Sequence, residues 1–203
     1  MLQFSVFSKN AEPKTTQTPL LKNSVYELKN VKSLAIIGML LAVAAVLGAF
    51  ANFSLALFGN TAKISLKFLP ITLGAYLFGP VPGALIGALS DVLSFFLVPQ
   101  GGAYNPGFTL NGLLVGAISG FVLYRRKPTI IRVFVCFLLT TLLVEIPLSA
   151  LWLTIMYDLP FWATVTGRCI TRGILLPCEV AVTFALFKSL GIGLQQLINK
   201  KAP

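Results

Sequence analysis

The run SLAIIGMLLAVAAVLGAFAN, Ser33–Asn52, carries no charged residue over twenty positions. A helix rises about 1.5 Å per residue and the hydrocarbon core of a bilayer is about 30 Å thick, so a run of this length can cross it. The rest of the sequence is written for the same solvent. Of 203 residues 56% are hydrophobic and 11% charged, at a mean hydropathy of +0.86, whereas a soluble domain carries about 25% charged residues. The composition therefore implies an all-α integral membrane protein.

Six segments approach spanning length: Ser33–Phe53, Ile64–Phe78, Gly83–Val98, Phe108–Tyr124, Ile130–Met156 and Phe161–Leu190. The expectation is a single six-transmembrane-helix bundle over residues 31–198. The polar stretch 1–30 has no apolar run ahead of a small-residue cleavage site, and is expected to be a cytoplasmic leader outside the fold. Segments two and three are short and joined by FGPVPG, whose prolines and glycines forbid one continuous helix. Short or broken segments suit binding bundles and transporters, where protein or water satisfies the freed backbone.

Sixteen Lys and Arg against six Asp and Glu give a net charge of +10. The positive residues flank apolar runs, so the excess reads as membrane topology and not as a nucleic-acid surface. Lys29 and Lys32 precede segment one, Arg125, Arg126, Lys127 and Arg132 fill the turn after segment four, and Lys188, Lys200 and Lys201 follow segment six. By the positive-inside rule these ends face the cytoplasm, which puts both termini inside. Lys63 and Lys67 fall on the opposite, external side.

A charge deep in a membrane segment costs roughly 2.5–3.5 kcal/mol and usually faces a partner or a cavity. Asp91, Glu145, Arg168, Arg172 and Glu179 are such charges. Arg168 and Arg172 stand four apart and share a helix face. A buried Glu145–Arg172 pair joining segments five and six is one reading. An anion site is the other, since two arginines with one nearby acid leave a guanidinium free, and Lys63 and Lys67 enter from the same side. Asn111, Tyr76, Phe108 and Trp152 are placed at the same outer depth, outlining a pocket for a flat, partly polar anion. Aromatic residues at that depth also form interfacial belts. Asp91 is read as a structural pair or cap inside the bundle. In segment one, small residues recur four apart in overlapping registers: Gly38 with Ala42, Ala44 with Gly48, Ala45 with Ala49. Such spacing lets another helix approach closely.

The chain has no histidine, and Cys136, Cys169 and Cys178 lack metal-ligand spacing, so neither a metal nor a cofactor is expected. It also has no phosphate-binding loop, nucleotide fingerprint or hydrolase triad.

The run ISLKFLPITLGAYLFGPVPGALIGALSDVLSFFLVPQGGAYNPGFTLNGLLVGAISG, Ile64–Gly120, resembles the substrate-binding S components of energy-coupling factor (ECF) vitamin transporters, most nearly the folate-specific ones. FLPI, FGPVPGALIGALSD and the PGFTL ahead of segment four carry the likeness. The resemblance implies a non-catalytic, vitamin-binding subunit of a bacterial plasma membrane, with its site near the outer face. It also implies docking of the first helix on a transmembrane coupling subunit driven by two ATPases, for which Gly38, Ala42, Ala45 and Ala49 are candidates. The loop Phe58–Lys63 becomes an external gate by the same likeness. Folate joins a pterin to a dianionic glutamate, so chemistry assigns Glu145 and Asn111 to the pterin edge and Phe108, Tyr76 and Trp152 to its walls. Arg168, Arg172, Lys63 or Lys67 then meet the carboxylates. Pantothenate, thiamin and riboflavin remain alternatives as the vitamin. An intramembrane enzyme using Glu145, Asp91 and Glu179 is a further alternative of another class.

Overall fold

The computed structural model describes residues 17–29, 31–50, 52–57, 60–98, 104–126 and 128–199. Helix α1, Gln17–Glu27, precedes α2, Val31–Phe50. A hairpin of β1, Asn52–Leu57, and β2, Asn60–Ser65, follows, and then α3, Phe68–Phe78, α4, Pro80–Leu97, and α5, Pro106–Leu123. The next crossing is composite, with α6, Ile130–Thr140, running through a π-helical turn, Thr141–Glu145, into α7, Pro147–Tyr157. Helix α8, Phe161–Asn199, closes the order.

Among the described residues five helical stretches have the length and hydropathy to span a membrane: Val31–Phe50, Pro80–Leu97, Pro106–Leu123, Ile130–Tyr157 and Phe161–Ser189. The expected second span is different. Helix α3 has eleven residues, about 16 Å of rise, or roughly half the hydrocarbon core. Its expected beginning, Ile64–Ser65, belongs instead to β2, which pairs antiparallel with β1 in a register from Asn52 opposite Ser65 to Leu57 opposite Asn60. The membrane bundle is helical as expected, and this short hairpin is a local departure from it. Polar and apolar residues alternate over Asn52–Leu55 and over Thr61–Ser65, a period of two that suits a strand and not a helix.

Pro80 and Pro82 start α4 directly after Gly79, so α3 and α4 meet at a sharp corner. Gly79 has φ +97°, a conformation that side-chain-bearing residues rarely adopt. The hydroxyl of Ser24 on α1 donates to the Phe78 carbonyl at 3.1 Å and accepts from the Val81 amide at 3.1 Å. Ser24 is fully buried there. The fold thus starts before Val31, and Gln17–Glu27 of the expected leader is helical; residues 1–16 and 30 lie outside the described residues.

Helices α4 and α5 are packed backbone on backbone. A Cβ on Gly87 would stand 2.0 Å from the Gly112 carbonyl oxygen, and one on Gly116 would stand 2.1 Å from that of Gly83. Small residues permit such contact, and in lipid that contact is the main source of helix association. Ala44, Ala45, Gly48 and Ala49 bring α2 onto the same α4, where Ser94 Oγ lies 3.0 Å from the Ala45 carbonyl.

The composite α6–α7 crossing carries a π-turn for a local reason. Pro147 has no N–H to give and its ring crowds the carbonyl four residues back. The chain admits one extra residue, and Ile146 N bonds Thr141 O, five back, at 3.0 Å. Leu123, Val133, Cys136, Phe137, Leu176, Val180 and Phe187 form a core between α5, α6 and α8.

Candidate functional site

Asn105 caps α5, its side chain accepting from the Gly107 amide at 2.8 Å, and Pro106 fits the first turn. Gly107 lies under Trp152 of α7 so closely that a Cβ would stand 2.2 Å from Trp152 Cδ2. One turn on, Asn111 is 6% exposed and uses both ends of its amide. Its Nδ2 donates to Ser149 Oγ at 3.0 Å, and its Oδ1 accepts from Trp152 Nε1 at 3.2 Å. An amide has two donors and two acceptor sites, so Asn111 keeps one of each for a further partner.

The other face of α5 holds a second polar chain. Thr109 Oγ1 donates to Asp91 Oδ2 at 3.2 Å, and Lys67 Nζ meets Asp91 Oδ1 at 2.6 Å. Tyr104 closes the chain, with its hydroxyl 2.5 Å from Thr109 Oγ1 and its ring against Phe95. Asp91 is the structural pair expected of it.

Helix α8 supplies the third element. Arg172 spans two carboxylates, Glu145 Oε2 of the π-turn at 2.6 Å and Glu179 Oε1 at 2.9 Å. All three side chains are mostly buried, so the guanidinium fork is used on protein acids. Arg168 lies one turn earlier. The short link Asp158–Pro160 makes α7 and α8 antiparallel. One turn up from Glu145 on α7 is Ser149, and one turn up from Arg172 on α8 is Arg168. Arg168 therefore stands at the height of Ser149 and Asn111, about 6 Å nearer the hairpin than the ion pairs. Its Nε is buried and has no hydrogen-bond partner among the described residues. A buried guanidinium nitrogen without a partner is costly, and an arriving acceptor would relieve that cost.

The expected site residues thus divide. Asn111, Trp152, Glu145 and Arg168 are brought into one stretch between α5, α7 and α8, with Phe108 half-buried one turn above Asn111 on its side of α5. Arg172 and Lys67 are not free cations, because carboxylates already hold them. Two acids, Glu145 and Glu179, converge on Arg172, where one was expected. Tyr76 lies elsewhere: its ring packs 4.8 Å from that of Phe187, fifteen residues beyond Arg172 on α8 and about 22 Å along that helix. Lys63 lies in β2, opposite Ser54, and its side chain is outside the described residues, as are Phe58 and Gly59 of the expected gate. Gly38 and Ala42 face outward, with open space where a Gly38 Cβ would stand. Ala45 and Ala49 are buried against the bundle, so the expected docking stripe divides along its length, exposed at its first two residues and buried at its last two.

Ser149 and Gly107 were missed in the sequence. Ser149 falls between Glu145 and Trp152 at spacings of four and three, one helical face, which is a usable signal. Gly107 has none, since only the ring above it explains it.

The family model for the ECF transporter substrate-specific component matches residues 32–195. The chain belongs to that family. As an S component it is similar to two proteins described as "Folate transporter FolT". That of Clostridium novyi (strain NT) is 29% identical over 140 residues, covering 69% of this chain and 80% of that protein. That of Leuconostoc mesenteroides subsp. mesenteroides is 30% identical over 136 residues, covering 64% and 73%. A crystal structure of FolT bound with folic acid superposes on this S component with a TM-score of 0.71 at 36% sequence identity, over 79% of this chain and 95% of that one.

Proposed function

We propose that this S component binds folate at the hairpin end of the bundle and delivers it inward on an energising module of a coupling subunit and two ATPases. The observation that carries this reading is the 36% identity to a chain solved with folic acid, over 95% of that chain. The polar stretch suits such a ligand. Asn111 has a donor and an acceptor left for a pterin edge, with Ser149 and Glu145 beside it on α7 and the π-turn. Trp152 and Phe108 provide ring surfaces. Among the described residues of this stretch Arg168 has a buried Nε with no hydrogen-bond partner, and it is assigned to a ligand carboxylate together with Lys63. Lys67 and Arg172 act as positioning groups held by Asp91, Glu145 and Glu179. Those three acids are each engaged by a cation, an arrangement that favours binding over acid–base chemistry.

Docking is assigned to the outward face of α2 at Gly38 and Ala42, since Ala45 and Ala49 are used inside. The start of α2 and Phe187 of α8 lie at the Gly79 end, which supports placing both termini on one side, and the exposed Arg125 and Arg126 there assign it to the cytoplasm of a bacterial plasma membrane.

The test is a titration of the detergent-purified chain with folate, riboflavin, thiamin and pantothenate, read by tryptophan fluorescence. Folate is expected to quench and the others to leave the signal unchanged. A response to one of the others in place of folate reassigns the vitamin.

A further inference from the structure

We infer that the Gly79 end of the bundle carries a surface for anionic phospholipid headgroups, built from α1 and the turn between α5 and α6. Three elements converge there. A Cβ on Gly79 would stand 2.6 Å from Ser24 Oγ of α1 and 3.3 Å from Tyr124 Cδ1 at the end of α5. Lys22 lies two residues from Ser24, and the Arg125 guanidinium lies 5.4 Å from the centre of the Tyr124 ring. Lys22, Lys29, Arg125 and Arg126 are all exposed. Of the described acids only Glu27 belongs to this end, and its carboxylate already accepts from the Ser33 hydroxyl at 2.8 Å. The result is a cluster of cations with little opposing charge.

The apolar residues beside them say what the cluster faces. At about 100° per residue, Leu21 and Val25 occupy one edge of α1, Lys22 and Tyr26 the adjoining arc and Glu27 the far side, with Lys29 in the turn that follows the helix. Leu21, Val25 and Tyr26 are 39%, 45% and 72% exposed. Helix α1 ends only four residues before α2 enters the membrane, a gap of at most about 14 Å when extended. Ser24 pins it to the α3–α4 corner besides. It therefore lies at the bilayer boundary, where its apolar edge meets acyl chains and its lysines reach up to phosphate. Because the pinning is by buried hydrogen bonds, the cations are held in place before a lipid arrives.

The experiment is native mass spectrometry of the full chain released from nanodiscs of equal phosphatidylcholine and phosphatidylglycerol. The wild type is expected to retain phosphatidylglycerol over phosphatidylcholine. The variant K22Q/K29Q/R125Q/R126Q is expected to lose that preference at least tenfold, given roughly fivefold per cation near a membrane surface. Monodisperse elution and an unchanged thermal midpoint show that the variant is folded. Equal retention of both lipids by the wild type overturns the proposal, as does an unchanged preference in the folded variant. Loss of capture by the energising module with the lipid preference intact also overturns it, and assigns the surface to a protein partner.

Discussion

Helix α5 has two faces of opposite character. Towards α4 it presents Gly112 and Gly116, and the two backbones touch with no side chain between them. Towards α7 it presents Asn111, held by one hydrogen bond to Ser149 and one from Trp152. The first contact has one solution, because backbone atoms cannot turn aside. The second consists of side chains with remaining hydrogen-bonding capacity, and can exchange partners at little cost. A helix fixed on one side and adaptable on the other is what a ligand site needs, since the rigid face holds the adaptable one in position.

The largest effect is expected where that rigidity is broken. Gly116→Leu forces its side chain into the Gly83 carbonyl and should cost at least about 3 kcal/mol, the top of the usual overpacking range. The loss would be seen as a collapse of monodisperse yield and thermal midpoint. Glu145→Gln comes next. It takes a charged partner from Arg172 but leaves Glu179, so roughly 2 kcal/mol is expected, below the 3–5 for a lone buried pair. Thermal unfolding in a fixed detergent measures it, and the double variant E145Q/E179Q should lose more than the sum of the singles.

On the adaptable face the effect moves from stability to ligand. Asn111→Ala should weaken folate binding by about tenfold, equivalent to about 1.4 kcal/mol, with a far smaller change in unfolding than Gly116→Leu. Smallest of all is Gly38→Leu. Its Cβ meets nothing within 4 Å, so stability within about 0.5 kcal/mol of wild type and unaltered folate affinity are expected. Only capture by the energising module should fall, and unchanged capture would remove α2's outward face as the docking site.

Much of this division was legible in the sequence. Long apolar runs marked five of the crossings, and the Glu145–Arg172 pair was one of the two readings that the buried charges left open. What was not legible depended on where along a helix its neighbours pack. Gly38, Ala42, Ala45 and Ala49 are equally small, and only packing against Ser94 tells the inner pair from the outer. Tyr76 does not belong at the outer depth, because counting from the external start of its segment already carries it to the inner end at Phe78. It stands two residues from that end of α3, against Phe187. Ser24 was set aside because a polar leader gives no sign that one hydroxyl will cap the corner at Gly79.

The central claim is that this S component takes folate on the Asn111 side of α5. Titration calorimetry of the purified chain with folate, for wild type and Asn111→Ala side by side, tests it most directly. One-to-one binding by the wild type, weakened about tenfold in a variant with an unchanged oligomeric state, is the result expected. Folate binding equally tight in both chains, or absent from the wild type, would contradict it.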